Sequence, residues 1–218
     1  MEVWDKSIAV EEDLIKANEE LAKINKEFFE KNNIKTYEIL GNIGSGKTSL
    51  IEALVSELKD KYKIIVINGD LATSIDADRI KKYGVEAIQI NTGKECHLDA
   101  LTIKPALEKI KEEIDLCFIE QVGNMICPAD FPLGARKRLV VFEVTNGPYI
   151  VQKHPVIFTM TEIVLINKMD IAEYVGMDQN ALKKLETDAK KINPKLKVIF
   201  TSAKTKQGIP ELIQALEL

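Results

Sequence analysis

Short apolar runs alternate with amphipathic stretches along most of this chain. The apolar runs fall at 36–40 (TYEIL), 63–68 (KIIVIN), 85–90 (VEAIQI), 116–120 (LCFIE), 138–144 (RLVVFEV), 162–167 (EIVLIN) and 197–201 (KVIFT). Their length and β-branched content predict strands. Between them, helical spacing of apolar residues predicts helices at about 46–60, 74–82, 98–112, 178–192 and 208–217. A longer helix precedes them over 7–31, where Ile8, Leu14, Ile15, Leu21, Ile24 and Phe28 recur at helical spacing. Alternation of strand and helix predicts an α/β fold, a mostly parallel sheet with helices on both faces. No repeat or Gly/Ser/Pro linker interrupts the pattern, so residues 1–218 are expected to form one domain: the N-terminal helix and a nucleotide-binding core over 36–218.

In such a sheet, ligands bind outside the carboxyl ends of the strands. The loops that follow the strands are therefore where chemistry is expected. "GNIGSGKT" (41–48) follows the first strand and opens a helix, fitting G-x-x-x-x-G-K-[ST]. Gly41, Gly44 and Gly46 permit the tight path, so that amides of Asn42, Ser45 and Ser49 and their neighbours can point at phosphate oxygens. The helix N-terminus adds partial positive charge. Lys47 is expected to bridge the outer phosphates, and Thr48 to offer its hydroxyl to Mg²⁺.

"NKMD" (167–170) ends a later strand. Asp170 can accept from the ring N–H and amino group of guanine; adenine has neither donor on that edge and would leave the carboxylate unpaired. Asn167 can meet the N7/O6 edge, and the Lys168 stem can cover the ring. "TSAK" (201–204) ends the next strand, where Ser202, Ala203 and Lys204 can close on the base. The expected nucleotides are GTP and GDP.

Carboxylates end other strands. Asp70 closes "INGD" and Glu120 opens "EQVG". Beside phosphates such acids hold Mg²⁺ or orient an attacking water. Gly123 can give its amide to the terminal phosphate. Asp76, in "SIDADR", is either a further acid of this kind or part of a helix cap at Ser74–Asp76. No arginine is evidently placed to assist hydrolysis, and Arg79, Arg136 and Arg138 are the only candidates.

Composition narrows the partners. The chain has 218 residues with a formal net charge of −4, which gives no basic field for nucleic acid or an anionic membrane. No apolar run is long enough to span a bilayer, and the start carries no secretory pattern. Three cysteines are too few for a disulfide scaffold, so a reducing cytoplasm is expected. Cys117, inside "LCFIE", reads as core. Cys96 and His97 are adjacent in "NTGKECHLDA", after the third strand, and Cys127 precedes Pro128 in "GNMICPAD". Pro128 favours an extended backbone at Cys127. Two thiolates and an imidazole suit Ni²⁺ or Zn²⁺ and suit magnesium poorly. The alternative is that all three are structural. His154, in "KHP", is expected in a loop without metal.

Together "GNIGSGKT", "NTGKECHLDA", "EQVGNMICPADFPLG", "NKMD" and "SAKT" resemble the hydrogenase nickel-incorporation GTPases, the HypB-type maturation factors. The resemblance implies a P-loop GTPase of the signal-recognition/MinD class, a homodimer promoted by GTP, and nickel delivery to [NiFe]-hydrogenase, in some members also to urease. It implies Cys96, His97 and Cys127 as metal ligands between subunits. It also implies partners: the hydrogenase large subunit, a small zinc-binding accessory protein and a proline-isomerase nickel chaperone. Three places depart from the family pattern. Gln121 stands where Asn is usual. "TNGPYIVQKHP" (145–155) replaces two acids with Pro148 and Tyr149, and "KTKQG" (204–208) differs from K-T-G-x-G. The cysteine-rich and histidine-rich N-terminal stretches of some members do not occur in these residues. The competing reading is a GTP-dependent regulatory switch or scaffold whose Cys/His residues carry no metal.

Overall fold

A computed structural model describes residues 2–110 and 113–218, with side chains from residue 12 onward. The elements in order are α1 (Glu2–Lys31), β1 (Lys35–Gly41), α2 (Lys47–Leu58), β2 (Ile64–Asp70), α3 (Ile75–Lys81) and β3 (Glu86–Asn91). Then come α4 (Lys104–Leu107), β4 (Leu116–Glu120), α5 (Cys127–Asp130), β5 (Lys137–Glu143), α6 (Ile150–Lys153) and α7 (Pro155–Thr159). The chain ends with β6 (Ile163–Asn167), α8 (Gln179–Ile192), β7 (Lys197–Phe200) and α9 (Ile209–Leu216). Seven strands form one sheet in the order β3-β2-β4-β1-β5-β6-β7, and every adjacent pair is parallel. All seven expected strands are present, within a residue or two of their expected ends.

Alternating strand residues build the two faces. Tyr37, Ile39, Val66, Phe118, Leu139, Val141 and Leu165 pack under α2, α3 and α9. On the opposite face, Ile65, Ile67, Cys117 and Ile119 meet α1 and the segment around Leu98, while Leu40, Val140, Phe142 and Ile166 meet α5 to α8. Cys117 is fully buried as expected, and burial pushes its thiol well above the usual range.

The expected helix over 98–112 is reduced to α4, with turns before it. Pro105 explains this. A proline lacks an amide hydrogen and clashes with the preceding turn, so it is tolerated only where a helix starts; it lies in the first turn of α4. The expected end of that helix, residues 111–112, lies outside the described residues. The helices α6 and α7 had no sequence signal, because each is only four or five residues long and Gly147, Pro148 and Pro155 punctuate them.

The N-terminal helix begins at Glu2 and packs on the body of the domain by part of the stripe its apolar spacing suggests: Ile15, Leu21 and Phe28 are half-buried. Leu14 and Ile24 are 58% and 57% exposed, whereas Asn18, Ala22, Asn25 and Phe29 are buried. Ile8 lies among residues whose side chains are not described. Two of these buried positions are polar because they face loop backbone. Asn25 Nδ2 donates to the Ala100 and Leu133 carbonyls at 2.8 and 3.3 Å. Asn18 accepts from the Ala100 amide at 2.8 Å and donates to the Pro132 carbonyl at 2.9 Å.

Candidate functional site: a nucleotide cleft beside a cysteine–histidine cluster

Gly41, Asp70, Glu120 and Asn167 are the last residues of β1, β2, β4 and β6, so the parallel sheet delivers all four to one edge. A cleft of about 410 Å³ opens there, lined by the 43–49 loop, Asp70, Asp76, Arg79, Glu120, Gly123 and Lys168 among others. The loop from Gly41 to Thr48 takes the path its glycines predict. Gly41, Gly44 and Gly46 have φ of 147°, 79° and 95°. A Cβ on Gly46 would stand 2.3 Å from Asn167 Nδ2, and one on Gly41 2.4 Å from the Val141 carbonyl oxygen. Gly46 ends the loop as the N-cap of α2.

Lys47 Nζ donates to the carbonyls of Gly41 and Asn42, both at 3.1 Å. Burial lowers its pKa, opposed by the nearby carboxylates of Glu120, Asp76 and Asp70. Thr48 Oγ1 donates to Glu120 Oε1 at 2.7 Å, and Asn68 Nδ2 donates to Glu120 Oε2 at 2.9 Å. Burial raises Glu120 to about 7, against the pull of the Lys47 ammonium and these hydrogen bonds. Asp70 is oriented by its own turn: its carboxylate accepts from the Ala72 and Thr73 amides and the Thr73 hydroxyl. Burial pushes its pKa up, but those bonds together outweigh it and hold the carboxyl below its ordinary value.

Asp76 lies in the first turn of α3, where Ser74 is the N-cap residue and makes no side-chain cap bond. Asp76 pairs with Arg79 at 3.5 Å. Arg79 also binds Glu52 and donates to Ser49 Oγ at 3.0 Å. Of the three arginines, only Arg79 lines the cleft. Arg136 pairs with Glu217, and Arg138 is buried against Glu38.

The expected base-binding residues form a second group. Asn167 is 1% exposed and its amide is committed internally. Its Nδ2 donates to the Ser45 carbonyl at 2.9 Å, and its Oδ1 accepts from Thr201 Oγ1 and the Ala203 amide. Asn167 therefore clips the phosphate loop to the end of β7. Asp170 Oδ1 accepts from Ser202 Oγ at 2.6 Å, and Lys204 Nζ lies 4.0 Å from Oδ2. Lys168, with φ of 64°, is paired with Glu143.

The cluster of Cys96, His97 and Cys127 is brought together from separate loops. Their ligand atoms all lie within 4.8 Å of one another, and Cys96 Sγ is 3.8 Å from His97 Nδ1. The His97 ring packs on Phe131 with centroids 4.2 Å apart. The neighbouring Cys96 thiol, and then partial burial, push the Cys127 thiol above its usual range. One local expectation is corrected: Cys127 is not extended. It starts α5, where Pro128 sits in the first turn and needs no amide hydrogen. His154 stands apart, at the junction of α6 and α7.

The segment after β4 joins cluster and cleft. Gly123 lies against the phosphate loop, and a Cβ there would stand 2.3 Å from Ile43 Cγ1. Asn124 forms an antiparallel bridge with Gly41. Its side chain accepts from the Ile126 amide at 3.0 Å and approaches the Cys96 carbonyl at 3.5 Å. Sequence reasoning missed Asn124, as it missed Asn68, Glu38 and Phe131. For Glu38 a signal existed: a carboxylate inside an otherwise apolar strand implies a buried partner.

Residues 35–200 match the CobW/HypB/UreG nucleotide-binding domain family. The probable hydrogenase maturation factor HypB of Methanocaldococcus jannaschii is 47% identical over 209 residues, 95% of this chain and 93% of that protein. The crystal structure of hydrogenase maturation factor HypB from Archaeoglobus fulgidus is 42% identical and superposes with a TM-score of 0.85, covering 93% of this chain and 98% of that one. The crystal structure of HypB from Helicobacter pylori in complex with nickel is 33% identical, also at a TM-score of 0.85, over 92% and 94% of the two chains. Fold, motifs and overall likeness agree: the chain belongs to the CobW/HypB/UreG family of P-loop nucleotide-binding proteins, among the HypB hydrogenase maturation factors.

Proposed function

We propose that this chain is a slow GTPase that carries nickel or zinc on Cys96, His97 and Cys127 and releases it to a hydrogenase under control of the bound nucleotide. The observation that carries this reading is Asn124. Its backbone pairs with Gly41 of the phosphate loop, while its side chain holds the amide before Cys127 and reaches the carbonyl of Cys96. A change at the phosphates is thereby transmitted to the metal ligands through one residue. A nickel-bound H. pylori relative supports the choice of metal.

Each residue has a part in the proposal. Lys47 would leave the Gly41 and Asn42 carbonyls for the outer phosphates, helped by amides of the 42–49 loop. Asp170 would accept from guanine, beside Asn167, Lys168, Ser202, Ala203 and Lys204. Thr48, Glu120 and Asp70 are hard oxygen donors at the phosphate end, the set that magnesium takes; they would hold Mg²⁺, which supplies charge neutralisation of the phosphates. Asp70 and Asp76 would orient the attacking water, and Gly123 would give its amide to the terminal phosphate. Arg79 is held by Glu52, Asp76 and Ser49, which leaves no free arginine in the cleft among the described residues and fits a slow intrinsic rate.

Three ligands leave one coordination position for water or a second copy of the chain. A homodimer tightened by GTP, accessory maturation proteins and the hydrogenase large subunit are the proposed partners, in the cytoplasm, with urease as a second proposed recipient. Among the described residues no helix is long and apolar enough to cross a membrane. The test is phosphate release with GTP. Lys47→Ala should weaken GTP binding about 10- to 100-fold, as expected for loss of charge-assisted hydrogen bonds, and abolish release. Turnover equal to wild type would reject the assignment. Cys127→Ala should leave GTP binding intact and remove stoichiometric nickel.

A further inference from the structure

The three metal-site residues are poorly held by their own elements. Cys96 and His97 lie in turns between β3 and α4, and Cys127 lies on a single helical turn. Neither segment belongs to the sheet, so something else must hold the ligand atoms within 4.8 Å of one another. Beneath them runs a continuous buried chain of hydrogen bonds. Gln121 follows β4 and is fully buried. Its Oε1 accepts from the Leu98 amide at 2.8 Å, and its Nε2 donates to the Leu98 carbonyl at 3.1 Å. The residue after His97 is thus gripped at both backbone groups. The same Nε2 donates to Glu38 Oε1 at 3.0 Å.

Glu38 lies in β1, directly paired with Arg138 of β5. Arg138 donates to both Glu38 oxygens, at 3.0 and 3.3 Å. The rest of its guanidinium reaches the other loop. It donates to the Pro128 carbonyl, to the Ala129 carbonyl at 3.0 Å and to the Met160 carbonyl at 3.4 Å. The path therefore runs from His97 through Leu98, Gln121, Glu38, Arg138 and Pro128 to Cys127. Glu38 and Gln121 are 0% exposed and Arg138 is 8% exposed, so packing locks their rotamers.

We propose that Gln121, Glu38 and Arg138 are positioning residues that set the spacing between Cys96–His97 and Cys127. The proposal rests on the metal reading given above. A side chain with a planar fork is needed at 138, because it must serve a carboxylate on one side and three backbone carbonyls on the other; a lysine ammonium cannot span both. A longer amide is needed at 121, because one group must meet both Leu98 and Glu38. The departure at Gln121 noted in the sequence is thus part of a network that touches both loops.

The test uses the full-length, metal-free protein, Arg138→Lys and Gln121→Met. Nickel affinity is measured by competition with a chromophoric chelator, and the thiolate-to-nickel absorption band reports the ligand set. GDP affinity and thermal melting report the fold. Partners that orient metal ligands typically change affinity by about 10- to 100-fold, and a loss of that size with a weakened band and unchanged GDP affinity is expected for each variant. Nickel affinity equal to wild type, with only a lower melting temperature, would show that the network serves the fold alone and would overturn the proposal.

A parallel readout needs no metal. Diamide takes two protons and two electrons from the Cys96 and Cys127 thiols, forming their disulfide, seen by mass, as its own N=N bond is reduced to the hydrazine. Formation should be slower in both variants, and equal rates would also overturn the proposal. Absence of nickel binding by wild type would defeat the proposed function instead, and the diamide rates would still decide the linkage. Should one variant fail to bind GDP, the other carries the test.

Discussion

At Gly46 the phosphate loop meets Asn167, at the proposed base-binding end of the site, at atomic range. The residue is left-handed, and a methyl group there would collide with the Asn167 amide that fastens Ser45. Gly46→Ala is therefore expected to break that clip as well as strain the loop, weakening GTP binding and lowering the melting temperature; unchanged GDP affinity by titration would contradict this. Asp170 makes a separate claim. In the proposed site its carboxylate would accept from the two donors that guanine presents, while xanthine replaces the amino group with an acceptor. Asp170→Asn is expected to shift preference from GTP to xanthosine triphosphate, measured by competition. Tyr37 makes stability depend on pH at a point remote from the site. It is buried, its hydroxyl donates to the Leu216 carbonyl at 2.7 Å, and burial pushes its pKa from 10.0 to about 12. The folded state thus favours the neutral phenol. Its contribution is complete below the unfolded value and is lost as pH rises from 10 toward 12. Tyr37→Phe should flatten the fall in stability across that window, read from denaturant unfolding at several pH values.

At the scale of elements, α1 acts on the loops as well as on the sheet. Asn18 and Asn25 tie the Ala100 loop to the Pro132–Leu133 segment, flanking the cluster. Asn25→Ala leaves two buried carbonyls without this donor and should cost about 1–3 kcal/mol of stability; denaturant unfolding measures it. Gly134 permits the approach, since a Cβ there would stand 2.2 Å from the Ala22 carbonyl oxygen. These contacts show what was legible in the sequence and what was not. The strands were readable because the five central ones are near-continuous apolar runs buried on both faces, the half-buried edge strands β3 and β7 keep short apolar runs, and their loops carried the motifs. The face of α1 was only partly readable, because its buried stripe includes two asparagines whose value depends on loop carbonyls distant in sequence. The helix expected over 98–112 failed at Pro105, and α6 and α7 were too short for periodicity to show. Cys96, His97 and Cys127 were readable as a donor set, but their support was not. Gln121, Glu38 and Arg138 are brought together only by the sheet order, which sets β1 between β4 and β5.

For the whole molecule, the sheet edge places the two proposed ligand sites side by side. The phosphate loop and the cysteine–histidine cluster share the segment from Gly123 to Cys127, with Asn124 bonded to both sides. A ligand can shift such a shared element only by its differential affinity for the element's states, and the coupling is reciprocal: if GTP changes nickel affinity, nickel changes GTP affinity by the same factor. The altered 145–155 segment belongs to this scale too. In the structure Gly147 and Pro148 lead into α6, whose Ile150 and Val151 are buried, while Tyr149 is 55% exposed with Lys184 Nζ 5.2 Å from its ring centroid. Those substitutions are compatible with a well-packed local fold.

The most direct test of the account is a nickel titration of the metal-stripped protein, once with GDP and once with a non-hydrolysable GTP analogue, following affinity and mass together. The account predicts that the analogue changes nickel affinity and favours the dimer, and that Cys127→Ala removes both the stoichiometric nickel and the difference between nucleotides. Equal nickel affinity in the two nucleotide states would contradict it and leave a GTP-binding protein whose cysteine–histidine cluster is not controlled by the nucleotide.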